Sequence, residues 1–274
     1  MIEASAMHAL SYIISFRAGG DPLRKANLDA VLRWLGEFED IEVMVVEQDV
    51  APRWSDSASP GPHVRRVPVY QPGPFNKAWG FNVGARLAQR PVLAFGDADM
   101  IAHDGLAMAA QLCRDDYDAV KPYGRMVDLD DQASERVRAG HWDFVPGISA
   151  DAPRDRQAIG EHVVFAGGIF LMRRERYMAI GGFDERFVGW GGEDDAMTQR
   201  IRRHDLATAE IEDAIGLHLL HARSQQSTFG QPAYAANLAL LEQSAALSDA
   251  QFERLCEVQR QVMGRPDKYG PRPA

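Results

Sequence analysis

Two carboxylates two positions apart, Asp97 and Asp99, are the first residues of this chain whose spacing suggests chemistry. On a strand or at its exit, side chains at i and i+2 point the same way. One carboxylate can then coordinate a hard cation while the other accepts a hydroxyl or orders a metal-bound water. A magnesium or manganese ion held there would bridge two phosphate oxygens and neutralise charge on a leaving diphosphate. The same triplet is also what a solvated turn with an Asp cap looks like. A second acidic run is Gly189-Trp190-Gly191-Gly192-Glu193-Asp194-Asp195. Acids in the first turn of a helix complement its macrodipole, which explains the carboxylates alone. It does not explain an indole set among glycines. Glycines let backbone approach a ligand, Trp190 offers a flat surface to a sugar ring, and a carboxylate at the helix start can accept a hydroxyl proton.

His218 and His221 follow a short β-rich run, Ala214 to Leu217. Imidazoles at a strand end can complete a cation site begun by Asp99, or can simply be satisfied in a core. Arg17, after the first apolar run, and Lys77, at a helix start, are cations where a nucleotide would lie, although surface cations are usually solvated. Glu47 ends the second apolar run, where it can bind a base or ribose or merely close a strand.

The elements that must position these residues alternate short β-rich runs with helical ones, which predicts an α/β fold with a mostly parallel sheet and helices outside it. Ala9 to Phe16 reads as a strand, Pro22 to Phe38 as an amphipathic helix, and Ile41 to Glu47 as a buried strand. After a Pro- and Ser-rich loop, Ala51 to Pro62, the spacing predicts a helix over Phe75 to Ala88 and a strand over Pro91 to Phe95 that runs into Asp97. Carboxylates just beyond a strand of an open α/β sheet lie where ligands gather. Ala119 to Tyr123 reads as a strand, and Arg125 to Gly160 as a weakly periodic excursion over an acceptor. Val163 to Met172 reads as a strand containing Gly167-Gly168, followed by helices over Arg173 to Ile180 and Glu193 to Arg203. Ser248 and Gln251 form a capping box, and Gly264 with Pro266 ends the last helix. The expected organisation is one catalytic domain over residues 1–230, with a nucleotide-binding lobe at 1–124 and an acceptor and metal lobe at 125–230. Residues 231–274 form a C-terminal helical extension packed on it.

At 274 residues and 46% hydrophobic content the chain can fill a sizeable core. A net charge of −9 gives no general attraction to phosphate backbones, which argues against a nucleic-acid partner. Cys113 and Cys256, far apart in helix-like segments, argue for neither a disulfide framework nor a zinc cluster. The apolar run near the start is too short for a secretory core or a membrane span of ~20 residues. A cytoplasmic, unanchored protein is expected, with transient membrane docking left open.

In order along the chain, Ser15-Phe16-Arg17, Phe75-Asn76-Lys77-Ala78, Asn82-Val83-Gly84, Asp97-Ala98-Asp99, Gly167-Gly168, the 189–195 run and His221 resemble the β-1,4-galactosyltransferase family. They also resemble the related polypeptide N-acetylgalactosaminyltransferases and chondroitin-type polymerases. The resemblance covers roughly residues 9 to 225, and ordered motifs are far more specific together than singly. It implies a GT-A fold and an inverting transfer of a hexose or N-acetylhexosamine from a nucleotide sugar, usually a UDP-sugar, to a hydroxyl of a glycan or other acceptor.

Carried over residue by residue, the resemblance gives metal ligation to Asp99 and His221, and sets His218 where the family has a Met ligand. Asp97, Phe16, Arg17, Phe75 and Lys77 fall on nucleotide-contacting positions, and Gly168 on the donor side. Trp190 matches a mobile Trp, Glu193 an acid that holds donor or acceptor sugar, and Asp194 the proposed general base. Ala222 to Asn237 matches a loop that closes after the donor binds. Ser15 replaces a Pro, Gly19 stands where a second nucleotide-binding Arg is expected, and Lys77 replaces an Arg. Phe165 occupies the position of a Tyr that governs sugar fit, so donor choice stays open. The cofactor implied is manganese or magnesium. Two rivals remain. A sugar-nucleotidyltransferase would carry a basic, Gly-rich phosphate loop after the first strand, of which Ala18-Gly19-Gly20-Asp21 is a poor version. A non-catalytic carbohydrate-binding relative is disfavoured by Asp99, Glu193, Asp194 and His221 occurring together.

Overall fold

The apolar runs assemble into sheets that bring the acidic motifs to one edge. The computed structural model describes residues 6–54, 64–143, 154–156, 163–222 and 231–271. Leu10–Phe16 (β1) is buried at every position, as a central strand covered on both faces must be. Pro22–Leu35 (α1) follows, opened by the Asp21 side chain, which accepts from Leu23 N, and by Pro at the first helical position. Its Leu28, Val31, Leu32 and Leu35 are buried. Glu42–Asp49 (β2) pairs in parallel with β1, and Val64–Tyr70 (β3) pairs in parallel with β2 at the sheet edge. The sequence pattern does not announce β3. Its charged residues and Pro68 suit an edge strand, where a missing N–H is tolerated.

Lys77–Leu87 (α2) begins at Asn76, whose side chain accepts from Trp79 N at 2.8 Å. Val92–Gly96 (β4) then pairs in parallel with β1 on the side opposite β2. Chain order therefore reverses between β1 and β4, and a crevice opens at their carboxyl ends where Phe16-Arg17 and Asp97 emerge. Met100–Ile101 (β5), Leu106–Asp115 (α3), Ala119–Lys121 (β6), Arg125–Asp128 (β7) and Asp131–Arg138 (α4) follow. Arg154–Asp155 (β8), Ile169–Arg173 (β9), Arg174–Ala179 (α5), Glu193–Arg203 (α6), Thr208–Glu210 (β10) and Ile215–His218 (β11) lead to the last helices, Pro232–Ala245 (α7) and Asp249–Val262 (α8).

Among the described residues the main sheet has seven strands in the order β10-β6-β9-β4-β1-β2-β3, parallel except at β9. The expected mostly parallel α/β fold is therefore present. The sheet takes strands from both sides of residue 124, with β9 lying between β4 and β6. A second sheet, β5-β11-β7-β8, abuts the crevice. Apolar side chains pack against both faces of the main sheet. One cluster includes Tyr12, Trp34 and Leu171, and the other includes Phe81, Phe95, Phe170 and Phe183.

Three expectations need correction. The strand predicted over Val163 to Met172 starts only at Ile169, because Gly168 turns with φ +77. A side chain there would also run into Tyr123 and Met126, so the backbone closes on the crevice only with glycine. The excursion from Arg125 contains regular structure in β7 and α4, the latter capped by Asp130 accepting from Ala133 N at 2.7 Å. The segment Ala222 to Asn237, read as a closing loop, is helical from Pro232, while its residues 223–230 lie outside those described.

The extension from residue 231 packs on α6. Arg200 donates to Gln259 of α8, and Arg203 Nη2 donates to Leu247 O at 2.9 Å and to Asp249 at 2.7 Å. No helix among the described residues is long and apolar enough to cross a membrane. Cys113 and Cys256 are both buried and free.

Candidate active site

A cleft of about 1070 Å³ opens at the carboxyl ends of β1 and β4, lined by Asp97, Asp99, Glu193, Asp194, His218 and His221 together. Phe16, Arg17, Phe75, Lys77, Gly168 and Trp190 complete the walls that matter here. Residues as far apart as 16 and 221 converge because strand exits and helix starts share this edge.

Sheet register builds the part that could hold a cation. β11 runs antiparallel to β5, with His218 opposite Met100, and parallel to β7, with His218 opposite Asp128. Leu219 N donates to Asp99 O at 2.8 Å, which ties the exit of β11 to the Asp97–Asp99 turn. As a result His221 Nε2 lies 3.1 Å from Asp99 Oδ2, and His218 Nε2 lies 3.8 Å from Asp99 Oδ1. One ligand atom from each of the three residues fits within 4.8 Å of the others. Neighbouring donors around a cation with bonds of about 2.1 Å sit about 3 Å apart, so this cluster fits one ion with positions left for phosphate or water. The Nδ1 atoms lie on the other side of each ring, 2.7 Å from Asp128 Oδ1 for His218 and 3.0 Å from Ala222 O for His221. Both Nε2 atoms are thereby left facing Asp99. Burial disfavours charge on His218, but Asp128 and Asp99 outweigh it and raise its pKa. The same His218, with Arg156, holds the Asp128 carboxyl well below the usual range despite its burial.

The acidic helix start forms the opposite wall. Gly192 caps α6 with φ +86, so Glu193 and Asp194 enter the first turn directly from the glycine loop. Glu193 is buried and Asp194 half-buried. Lys77 Nζ reaches both Asp194 oxygens at 3.1 Å, Asp97 Oδ1 at 2.9 Å and Glu193 Oε1 at 4.0 Å. Burial pushes the Asp194 carboxyl up to about 8. Lys77 works against that push, and the Glu193 and Asp97 carboxylates add to it. Glu193 is raised by burial as well, while Lys77 is raised because the three carboxylates outweigh its own burial. A carboxylate with a raised pKa at the mouth of a cleft is what proton abstraction from a hydroxyl requires.

The glycine loop is fixed at its start. Gly189 N donates to Phe75 O at 2.8 Å, and Asn237 Nδ2 of α7 donates to Val188 O at 3.1 Å and Trp190 O at 3.3 Å. Trp190 stacks on Tyr234, with centroids 5.2 Å apart and planes at 23°. Tyr234 and Asn237 are not among the sequence candidates, because the resemblance reads their segment as a closing loop. Nor is Asp128, which ends a strand that the weak periodicity after Arg125 does not announce.

Three predicted donor-site residues do something else. Glu47 is buried away from the cleft, where it accepts from Arg53 N at 2.7 Å and Trp54 N at 2.8 Å and pairs with Arg66 at 3.1 Å. It holds the turn after β2, so the assignment to base or ribose is corrected. Phe165 turns from the cleft to pack beside Phe170, with centroids 6.3 Å apart, and Val163 and Val164 line the wall instead. Arg17 does line the cleft, but its guanidinium donates to the carbonyls of Gln48, Gly73 and Gln71 at 2.7, 2.7 and 3.0 Å. It braces the turn leading to Phe75.

Residues 161–222, which include the Gly167-Gly168 pair, the glycine loop and both histidines, match the sequence model of a family described as the N-terminal domain of galactosyltransferase. A validoxylamine A glucosyltransferase of Streptomyces hygroscopicus subsp. jinggangensis is 28% identical over 238 residues, covering 74% of this chain and 55% of the relative. The chain thus spans about half the length of that relative. A β-1,4-galactosyltransferase 4 of Mus musculus is 29% identical over 63 residues, 22% of this chain and 18% of the relative. Among solved structures, a mutant Drosophila β-1,4-galactosyltransferase 7 in complex with manganese, UDP-Gal and xylobiose superposes with a TM-score of 0.48 at 17% identity. That superposition covers 81% of this chain and 76% of the other. The relatives are glycosyltransferases, and at that level they bear out the resemblance carried by the motifs.

Proposed function

We propose that this chain, a relative of the galactosyltransferases, is a metal-dependent inverting glycosyltransferase. It moves a hexose or N-acetylhexosamine from a nucleotide sugar, a UDP-sugar, to a hydroxyl of a carbohydrate-type acceptor. One observation carries the reading: the cation-ligating cluster of Asp99, His218 and His221 and the acidic helix start with Asp194 line a single cleft, joined through Asp97 and Lys77.

In this reading Asp194 takes the proton of the acceptor hydroxyl as that oxygen attacks the anomeric carbon, and the configuration inverts. Glu193, next to it on the first turn, holds a sugar hydroxyl. Lys77, released from Asp194 and Asp97 when the donor enters, is the chain's own cation for the diphosphate. Phe16 and Phe75 flank the nucleotide end, and Trp190 offers its face to a sugar ring. A divalent cation held by Asp99, His218 and His221 would neutralise charge on the departing diphosphate. Two imidazoles beside one carboxylate suit manganese better than magnesium. The free, buried cysteines support a reducing, cytoplasmic setting.

The test is a donor screen with UDP-glucose, UDP-galactose and UDP-N-acetylgalactosamine over a panel of glycosides, with manganese, scoring nucleoside diphosphate release. Sugar-dependent release of UDP is expected. In a parallel assay with UTP and a sugar 1-phosphate, formation of UDP-sugar and pyrophosphate would instead identify a sugar-nucleotidyltransferase, and binding of sugars without turnover in either assay a non-catalytic relative.

A further inference from the structure

The register that brings His218 to Asp99 also sets a carboxylate behind its ring. β7 and β11 pair in parallel with Asp128 opposite His218, and Asp128 Oδ1 lies 2.7 Å from His218 Nδ1. The carboxylate is itself held. Arg156 Nε lies 3.1 and 3.0 Å from its two oxygens, and Arg156 Nη2 lies 2.6 Å from Oδ1. An ionised carboxylate only accepts hydrogen bonds, so a bare Nδ1 facing it at 2.7 Å would set two lone pairs against each other; Arg156 Nη2, 3.3 Å from the same nitrogen, makes its short contact with Asp128 Oδ1 instead. The ring proton therefore belongs on Nδ1, and Nε2 presents its lone pair toward Asp99. His221 Nδ1 faces only a neutral carbonyl, Ala222 O at 3.0 Å, while its Nε2 lies 3.1 Å from Asp99 Oδ2, so among the described residues no carboxylate stands behind this ring to fix its Nδ1 proton. The two histidines are thus inequivalent, since a carboxylate makes the imidazole behind it a more basic ligand than a carbonyl does.

We propose that Asp128 is a positioning residue of the cation site, acting through His218 by fixing its tautomer and ring orientation while Arg156 locks the carboxylate. The proposal rests on Asp99, His218 and His221 being cation ligands. It makes His218 the more strongly bound of the two imidazoles, and it makes a residue that touches no substrate a determinant of metal affinity.

The experiment is calorimetric titration of the full chain with Mn²⁺ in the absence of nucleotide. It compares wild type, Asp128→Ala, Asp128→Asn, His218→Ala, the Asp128→Ala/His218→Ala double variant and Asp99→Ala. Asp128→Ala is expected to weaken Mn²⁺ binding by about 10–100-fold. Asp128→Asn still accepts the Nδ1 proton without the charge and should lose less. In the His218→Ala background, Asp128→Ala should add nothing, because its effect passes through that ring. Unchanged affinity in Asp128→Ala, or the same fold-loss with and without His218, overturns the proposal and leaves the cation site standing. Absence of Mn²⁺ binding by wild type, or full binding by Asp99→Ala, overturns the site and the proposal together. Long-range ¹H–¹⁵N spectra of wild-type imidazoles at alkaline pH, where the rings are neutral, give a check that needs no variant to fold. The Nδ1–H tautomer is expected for His218, and the Nε2–H tautomer would refute it.

Discussion

Lys77 reaches both carboxylate oxygens of Asp194 at 3.1 Å and thereby joins the first turn of α2 to the first turn of α6 across the cleft. With Asp97 at 2.9 Å, it is a shared counter-ion for groups on both walls.

Removing that counter-ion leaves Asp97, Glu193 and Asp194 facing one another. Breaking a fully buried pair costs 3–5 kcal/mol, but side-chain exposures of 13% for Lys77 and 22% for Asp194 admit screening. Lys77→Ala should therefore destabilise by about 2 kcal/mol at about pH 9, where the raised Asp194 carboxyl is ionised, read from urea unfolding. The cost should shrink as pH falls through about 8 and the carboxylates take up protons. Lys77→Arg should recover most of it, and a Lys77→Ala variant as stable as wild type would show that the pairs contribute nothing net.

Asp194→Asn keeps the shape of the side chain and removes its basicity. Turnover should fall by about 10²–10⁴-fold, the usual worth of a positioned base, with UDP affinity within a few-fold of wild type. Near-normal turnover would remove Asp194 from the proton transfer.

Burial raises the Asp194 carboxyl to about 8, so the folded protein favours its protonated form through neutral pH. A protonated carboxyl cannot accept a proton, so kcat/KM should rise with pH, about tenfold per unit at most, and level off near 8. The residual rate of Asp194→Asn should lack this limb. A wild-type profile already level at pH 6 would contradict the assignment.

Glu47 separates a structural role from a binding one. Glu47→Ala strips acceptors from the Arg53 and Trp54 amides and leaves Arg66 without this partner. The loss should be about 1–3 kcal/mol of stability. The donor KM, measured below the melting transition, should not move, and a large KM change with unchanged stability would return Glu47 to the donor site.

The alternation of apolar runs is legible in the sequence because continuous burial demands it. β1, β2, β4 and α6 therefore appear close to where the spacing predicts them. That Asp97, Asp99, Asp194 and His221 would line one cleft is legible because each follows a strand or opens a helix, where backbone geometry exposes side chains to it. Glu47 also lies near a strand end, yet that position does not reveal that amides of the following turn fold back on it. Phe165 turns inward for a related reason. The turn closed by Gly167 N on Val164 O decides which of Val164 and Phe165 faces the cleft, and no periodicity extends through a glycine at φ +77. Asp128, Tyr234 and Asn237 depend on pairing between elements far apart in sequence. Local pattern carries no record of the β7–β11 register or of α7 docking on the glycine loop.

The central claim is tested most directly by following a UDP-sugar and a glycoside acceptor by proton NMR with the wild-type chain, in manganese and again with the metal chelated. The account predicts that with manganese the donor's anomeric signal is replaced by UDP and a glycoside of inverted configuration, and that chelation stops both changes. Equal conversion after chelation, retention of configuration, or no UDP from any donor in the screen would contradict it.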